Sequence, residues 1–507
     1  MKIFESNSRM QSILDSNRVI PFLFFFCCIA HFAFSWHMAC IRPVWCDEIF
    51  TYFHIQGETW SSFWERTTSG LNRMPPLYFA LCKLLFGHLE EPIFPCRMLS
   101  SLLMCGSIIV LYQFFRFDLP KTWAACLALA VTIPSDFFLS YSYEARPYGA
   151  AFAATVLFLW LIRRSEERTC SIADLVALGL GCLLVPSIHY TFALTSAIIG
   201  IAHVAATNHS RKHLFIIYLV AGTAFTLTNL PLLMEQTKFG NALAIIPYAS
   251  LSVAKDFLTK TMAPGVCLLL SALTAWGFYM ASRTPFEKTA VPLHRIASIM
   301  LLALSLVPIL GFVGSRVIDN FFFLPRYYLS TLLLPAFLFL PILSQLARFR
   351  FSRLTQIIPL FICACTSFVS LTTHAKEFEH IFTKPQQYSY ALFPDPRLKK
   401  EPLPIITDDL ILWLCYQYRG LRNLHYLTSD NEQAVCLKAY LPKNLIHQNK
   451  ITEVWDEFLF IKTIGQSPTG LEAKNYLIIS REDYITDPVH KVVEYKRRLS
   501  PQVLQSL

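Results

Sequence analysis

Val19 to Ala39 reads VIPFLFFFCCIAHFAFSWHMA, a run with no Lys, Arg, Asp or Glu. The hydrocarbon core of a bilayer takes about 20 helical residues, so the run has a spanning length and no full charge to place in lipid. A secretory leader would have a shorter apolar centre. The stretch therefore reads as an uncleaved membrane helix.

Runs of similar character recur along the chain, near 97–116, 122–140, 147–162, 172–188, 190–206, 214–233, 264–281, 296–314, 327–347 and 355–373. With the first they predict about eleven spans. Residues 172–206 form one apolar block about twice a spanning length, divided here at His189-Tyr190. Composition agrees. The 507 residues are 54% hydrophobic and only 15% charged, with 42 Phe. The interior of a soluble protein of this length does not cover that much apolar surface, so lipid covers the rest.

The net charge of +10 is unevenly spread. From Lys376 to Arg498 there are seventeen Lys and Arg against sixteen Asp and Glu, which leaves twenty-seven against eighteen before it. A basic excess confined to the apolar part points to membrane topology and away from nucleic acid. With the N-terminus inside, the short inner loops and their flanks hold sixteen basic and seven acidic residues, and the outer ones eleven of each. An odd number of spans then sends the C-terminal part outside. The cysteines sit mostly in apolar runs and show no metal-ligand spacing. Cys415 and Cys436 lie in the polar tail, where an oxidising space would allow them to pair.

The expected fold class is a polytopic α-helical membrane protein with interfacial helices in its first outer loop and a small C-terminal α/β soluble domain. The expected domains are 1–373 and 374–507, with the first outer loop at 40–96. In that loop Leu77–Phe86 is apolar but too short to span, and Pro75-Pro76 suits the start of a helix lying at the surface. After residue 374 the apolar runs shrink to strand length at Pro404–Thr407, Leu424–Leu427 and Tyr476–Ile479, with a helical pattern over Leu410–Tyr418.

Four polar clusters fall on the outer side of this topology. Asp47-Glu48 follows the first span; adjacent carboxylates there suit a base or a metal ligand, and equally a solvated loop or helix cap. Glu144-Ala145-Arg146-Pro147-Tyr148 joins two spans, where Glu144 and Arg146 either pair with each other or leave Arg146 to hold a phosphate. His189-Tyr190 sits at a helix junction. Arg326-Tyr327 enters a late span, where Arg326 either snorkels or grips a phosphate at headgroup level. Together they describe a site for a substrate with a lipid tail and an anionic head. A transporter or flippase of lipid-linked saccharide is the alternative, but it would place polar residues near the bilayer midplane.

Asp47-Glu48 after the first span, Pro-Pro-Leu-Tyr-Phe at 75–79, Phe86-Gly87 followed by Arg97, and the Glu-Ala-Arg-Pro-Tyr turn at 144–148 together resemble the polyprenyl-phosphate-dependent GT-C glycosyltransferases, in the bacterial branch around aminoarabinose and protein mannosyl transferases. The resemblance covers about residues 20–345. It implies an inverting transferase that takes a sugar from a polyprenyl-phosphate donor to a lipid, glycan or protein acceptor at the outer face of a bacterial inner membrane. It implies that Asp47 is the base and that Arg146 or Arg326 stabilises the leaving phosphate. Glu48, Glu144, Tyr148, His189, Tyr190 and Tyr327 would bind substrate, and a divalent cation would be held by Glu48 and Glu144 where one is used. Arg73-Met74 departs from the residues that many relatives carry just before the prolines.

Overall fold

The computed structural model describes residues 16–42, 44, 46–56, 59–70, 72–167, 170–207, 211–238, 255, 257–260, 264–281, 295–317, 325–346 and 353–383. In the last quarter it describes 413, 417, 418 and six strands. The chain divides into two compact units. One comprises Met1–Arg42, Met74–Leu233 and Ala244–Glu377; the other comprises Pro43–Arg73, Met234–Leu243 and Phe378–Leu507.

The first unit is helical. Its helices, numbered along the whole chain, are α1 (Ser16–Ile41), α4 (Leu77–Phe86), α5 (Ile93–Phe115), α6 (Lys121–Ala130), α7 (Asp136–Ser142), α8 (Pro147–Glu166), α9 (Ile172–Ile188) and α10 (Phe192–Ala206). They continue with α11 (Arg211–Lys238, whose end enters the second unit), α12 (Pro264–Ala281), α13 (Arg295–Val317), a 3-10 segment (Pro325–Leu333), α14 (Leu334–Leu346) and α15 (Arg353–Thr383). Among the described residues five helices are long and apolar enough to cross a membrane, or six if α7 and α8, bent by 114°, are one span. Leu77–Phe86, Ile172–Ile188, Phe192–Ala206, Gly265–Gly277 and Ile299–Ser315 are apolar but shorter. Phe22, Ile29, Phe215, Leu219 and Leu227 are exposed, a distribution that water does not favour and lipid does. The chain is an integral membrane protein.

The expectation of a continuous span over 122–140 is corrected. The helix stops at Ala130, turns through residues 131–134, and restarts at Asp136 with the Ser135 hydroxyl accepting the Phe138 N–H at 3.3 Å. Pro134 lacks an N–H and disfavours helix in the residue before it, and Ser135 is a good cap, so the break is local chemistry that hydropathy does not register. The apolar block at 172–206 does divide where it was expected to, since α9 ends at Ile188 and α10 begins at Phe192. A capping box between Ser171 and Asp174 opens α9.

Polar side chains tie these helices together inside the apolar packing, where lipid supplies no competing partner. Nε2 of His31 on α1 lies 3.0 Å from the Ser142 hydroxyl on α7, and the Ser101 hydroxyl on α5 donates to the Ser142 carbonyl at 2.7 Å. Arg97 on α5 donates to the carbonyls of Ala39 and Arg42 at 2.8 and 2.7 Å. Those carbonyls lie at the end of α1, where the last turn has no intrahelical donors.

The second unit holds α2 (Cys46–Ile55), α3 (Trp60–Thr68) and the strands. The Thr59 side chain caps α3, Arg66 donates to the Phe53 carbonyl, and Nε2 of His54 lies 2.9 Å from the Thr67 hydroxyl, so α2 and α3 are latched at both backbone and side chain. The strands are β1 (Ile405–Thr407), β2 (Leu424–Thr428), β3 (Leu445–His447), β4 (Glu457–Thr463), β5 (Tyr476–Ser480) and β6 (His490–Arg497). They form one mixed sheet in the order β3-β2-β1-β4-β6-β5. The first four strands in that order are parallel, and β6 runs antiparallel to both β4 and β5. Parallel neighbours need crossover connections; these fall outside the described residues, as do Cys415, Cys436 and most of the Leu410–Tyr418 helical pattern.

Candidate functional site

The turn between α7 and α8 starts from Pro147. Proline suits the first position of a helix and pushes the residue before it into extended backbone. Arg146 accordingly has φ −137° and ψ 158° and becomes the residue that precedes α8. Its backbone therefore stands at the positive end of a helix, a place that favours negative charge. Tyr148 follows one residue into the helix, and both side chains are buried.

Two other breaks meet this turn. At the junction of α9 and α10, His189 leaves the helix with φ −153° and ψ 124°. Pro325 opens the 3-10 segment that carries Arg326 and Tyr327. The rings of Tyr148, His189 and Tyr327 pack as a triangle, with centroids 5.3 Å apart for Tyr148 and His189, 5.0 Å for His189 and Tyr327, and 6.1 Å for Tyr148 and Tyr327. Both arginines lie over the Tyr148 ring, Arg146 at 5.9 Å and Arg326 at 5.7 Å from its centroid. Arg146 also lies 5.9 Å from the ring centroid of Phe79 on α4, and Arg326 lies 5.8 Å from that of Tyr327. Aromatic faces attract cations by about 0.5–2 kcal/mol each, more when water is excluded. They hold two like charges near one another, and that concentration of positive charge suits an anion.

His189 is enclosed within this group. Its Nδ1 accepts the backbone N–H of Thr191 at 3.3 Å and lies 2.8 Å from the Thr191 hydroxyl. That hydroxyl is also 3.2 Å from the Tyr327 carbonyl oxygen. Burial, and after it the charges of Arg146 and Arg326, push the imidazole down to about 3, so it stays neutral in ordinary conditions. Its Nε2 is buried and has no hydrogen-bond partner among the described residues.

The carboxylate of Glu144, two residues before Arg146, lies 3.6 Å from Nη2 of Arg42, just past α1. Arg42 also lies over the ring of Tyr143, whose hydroxyl is 3.0 Å from Nε2 of His374 on α15. The structure thus brings Arg146, Tyr148, His189, Arg326 and Tyr327 together and sets Glu144 beside Arg42. Tyr190 is next to His189 but joins the ring cluster through no contact among the described residues, and its hydroxyl is buried there without a hydrogen-bond partner. Asp47 and Glu48 occupy the first turn of α2, in the second unit, where acidic side chains complement the helix dipole; Glu48 is buried. Among the described residues no group of three His, Cys, Asp or Glu is arranged to hold a metal ion, so Glu48 and Glu144 do not form part of such a cluster there.

Sequence reading alone passed over Arg42, Thr191 and His374. Arg42 looks like an ordinary anchor at the end of a span. Thr191 carries a signal only as the residue two past a junction His, close enough for its hydroxyl to reach the ring. His374 has no sequence neighbour that marks it.

No protein-family model matches the chain, and no curated protein matches it. Among solved structures the chain is similar to ArnT from Cupriavidus metallidurans in the apo state, with a TM-score of 0.47 and 12% identity over 92% of this chain and 97% of that one. ArnT bound to undecaprenyl phosphate gives a TM-score of 0.44 and 12% identity over 94% and 97%. The archaeal oligosaccharyltransferase AglB from Archaeoglobus fulgidus, in complex with an inhibitory peptide and a dolichol-phosphate, gives 0.38 and 12% over 79% and 64%.

Proposed function

We propose that the protein is an inverting glycosyltransferase that moves a sugar from a polyprenyl-phosphate donor to a lipid, glycan or protein acceptor at the outer face of a bacterial inner membrane. The observation that carries the reading is the joint placement of Arg146 and Arg326 over Tyr148, beside a neutral His189. Two fork-shaped cations fit the oxygens of a phosphate monoester or diester, and aromatic walls exclude the water that would screen them.

The chemistry assigned to the site is a direct displacement. The acceptor hydroxyl oxygen attacks the anomeric carbon of the donor. The bond from that carbon to the phosphate oxygen breaks, and its electron pair leaves with the lipid phosphate. Asp47 takes the hydroxyl proton. Arg146 and Arg326 stabilise the charge that grows on the phosphate, a term worth about 10²–10³ in rate for a single well-placed donor. Glu48 and Glu144 contact sugar or acceptor in this reading, with Glu144 oriented by Arg42. Tyr148, Tyr190 and Tyr327 line the sugar and lipid head.

The test is transfer in proteoliposomes, using a radiolabelled polyprenyl-phosphate sugar and a crude envelope fraction as acceptor. Wild type should transfer label, and Asp47→Asn should lose about 10²–10⁴ of the rate, as expected when a general base is removed. Equal transfer by both proteins removes Asp47 from the mechanism. Movement of labelled lipid across the vesicle with no transfer to any acceptor replaces the enzyme by a flippase.

A further inference from the structure

The Thr191 hydroxyl has one proton and two acceptors within reach, the Nδ1 of His189 at 2.8 Å and the carbonyl oxygen of Tyr327 at 3.2 Å. The backbone N–H of Thr191 helps to decide between them. It points at Nδ1 from 3.3 Å, so Nδ1 must present a lone pair there and not a hydrogen. The shorter contact of the hydroxyl is with the same nitrogen. A neutral imidazole that accepts at Nδ1 carries its hydrogen on Nε2, and this is the atom left buried without a partner among the described residues.

The groups around the ring rule against the alternatives. Arg146 approaches from the head of α8, Arg326 from the 3-10 segment, and both are cationic; Tyr148 and Tyr327 offer ring faces, and Tyr190 is the adjoining phenol. None of these supplies a negative charge that would hold an imidazolium. Burial acts in the same direction. A proton-accepting Nε2 would leave this cationic corner with one more lone pair and no hydrogen for a bound anion.

We infer that Thr191 is a positioning residue that locks His189 in its Nε2–H form, making the imidazole a neutral hydrogen-bond donor, beside Arg146 and Arg326, to one oxygen of the donor phosphate. The inference rests on the phosphate reading above and goes beyond it in two ways. It excludes His189 as a general base, and it gives a role to Thr191, which touches no substrate.

The experiment has two readouts on the full-length protein in detergent, with farnesyl phosphate as the probe. The first is its affinity; the second is the tautomer of His189, read from ¹⁵N-labelled histidine spectra and assigned by comparison with His189→Gln. The expected result is an Nε2–H signal that does not titrate between about pH 5.5 and 8. His189→Phe should weaken farnesyl phosphate about tenfold or more, the scale of a hydrogen bond to a charged group. Thr191→Val should weaken it severalfold and mix the tautomers, and Thr191→Ser should restore both. A hydrogen on Nδ1, or wild-type affinity in Thr191→Val while Arg146→Ala and Arg326→Ala lose binding, overturns the tautomer lock and leaves the phosphate reading standing. No binding of farnesyl phosphate to wild type overturns the phosphate reading, and the donor role with it.

Discussion

Nη2 of Arg42 lies 3.6 Å from Oε1 of Glu144, and both side chains are largely buried. The carbonyl of the same Arg42 is held by Arg97. One residue thus connects the end of α1, the body of α5 and the turn that precedes α8. Its position is fixed from the backbone side, so the guanidinium meets Glu144 with little freedom to lose.

Removing one partner of a buried ion pair leaves the other charge in a poor dielectric. Arg42→Ala should therefore destabilise the protein by about 2–3 kcal/mol, below the 3–5 of a fully enclosed pair because this one is loose and partly exposed. Adding Glu144→Gln should recover part of that loss, since the carboxylate that faced Arg42 is then neutral. Thermal unfolding in detergent of the two single variants and the double variant measures the coupling. Additive losses would show that Arg42 and Glu144 do not act as a pair.

The two arginines over Tyr148 should tolerate lysine poorly. Lys keeps the charge but loses the planar fork and the stacking on an aromatic face. Arg146→Lys or Arg326→Lys should lower kcat/KM for transfer by about tenfold, and Arg→Ala at either position by about a hundredfold. If the losses appear only in KM, the arginines bind the donor without favouring the transition state. Steady-state transfer rates over a range of donor concentration separate the two outcomes.

Acid should weaken the fold through His189. Its imidazole is held down to about 3 in the folded protein, against 6.5 for the ordinary group. Between those values the unfolded chain binds a proton that the folded chain refuses, so stability is full above about pH 6.5 and falls as the pH drops towards 3. The slope is roughly 1 kcal/mol per pH unit for one group. His189→Gln should flatten the dependence of Tm on pH from 7 to 5 relative to wild type. An unchanged slope in that variant would assign the acid sensitivity to other groups.

Much of the helical part was legible because lipid selects on composition. The uncharged run at Val19–Ala39 lies within α1, and the junction at His189-Tyr190 lies between α9 and α10, since a block twice a bilayer long has to turn. The break after Ala130 was not legible, because Ala, Val, Thr and Ile around Pro134 keep the hydropathy high while proline removes a donor. The run at 327–347 likewise opens as a 3-10 segment and becomes α-helix only at Leu334. In the site, residue types announced themselves where a charge stood beside a proline, as at Arg146-Pro147 and Pro325-Arg326. The pairing of Glu144 with Arg42 was hidden by about a hundred intervening residues. The tautomer of His189 depends on a backbone N–H, and no side-chain pattern encodes that.

Packing is tight behind the 3-10 segment. Tyr328 is buried against α13, and its hydroxyl and outer ring carbons fill the space that a Cβ on Gly311 would occupy. Gly311 is inside a helix, where glycine ordinarily costs about 1 kcal/mol relative to alanine, so Gly311→Ala would stabilise an open position. Here the added methyl has to displace a ring that clusters with Phe257 and Val307, with Phe312 packed against the cluster. Overpacking of this kind costs about 1–3 kcal/mol, enough to reverse the helix gain. The displaced ring belongs to the residue that follows Arg326 and Tyr327, so the shift should travel to those two side chains and lower farnesyl phosphate affinity along with stability. Truncating the obstacle tests the cause. Tyr328→Ala alone should destabilise by opening a cavity, but Gly311→Ala added to it should then cost little or help. If Gly311→Ala is equally harmful in both backgrounds, its effect does not come from the Tyr328 ring.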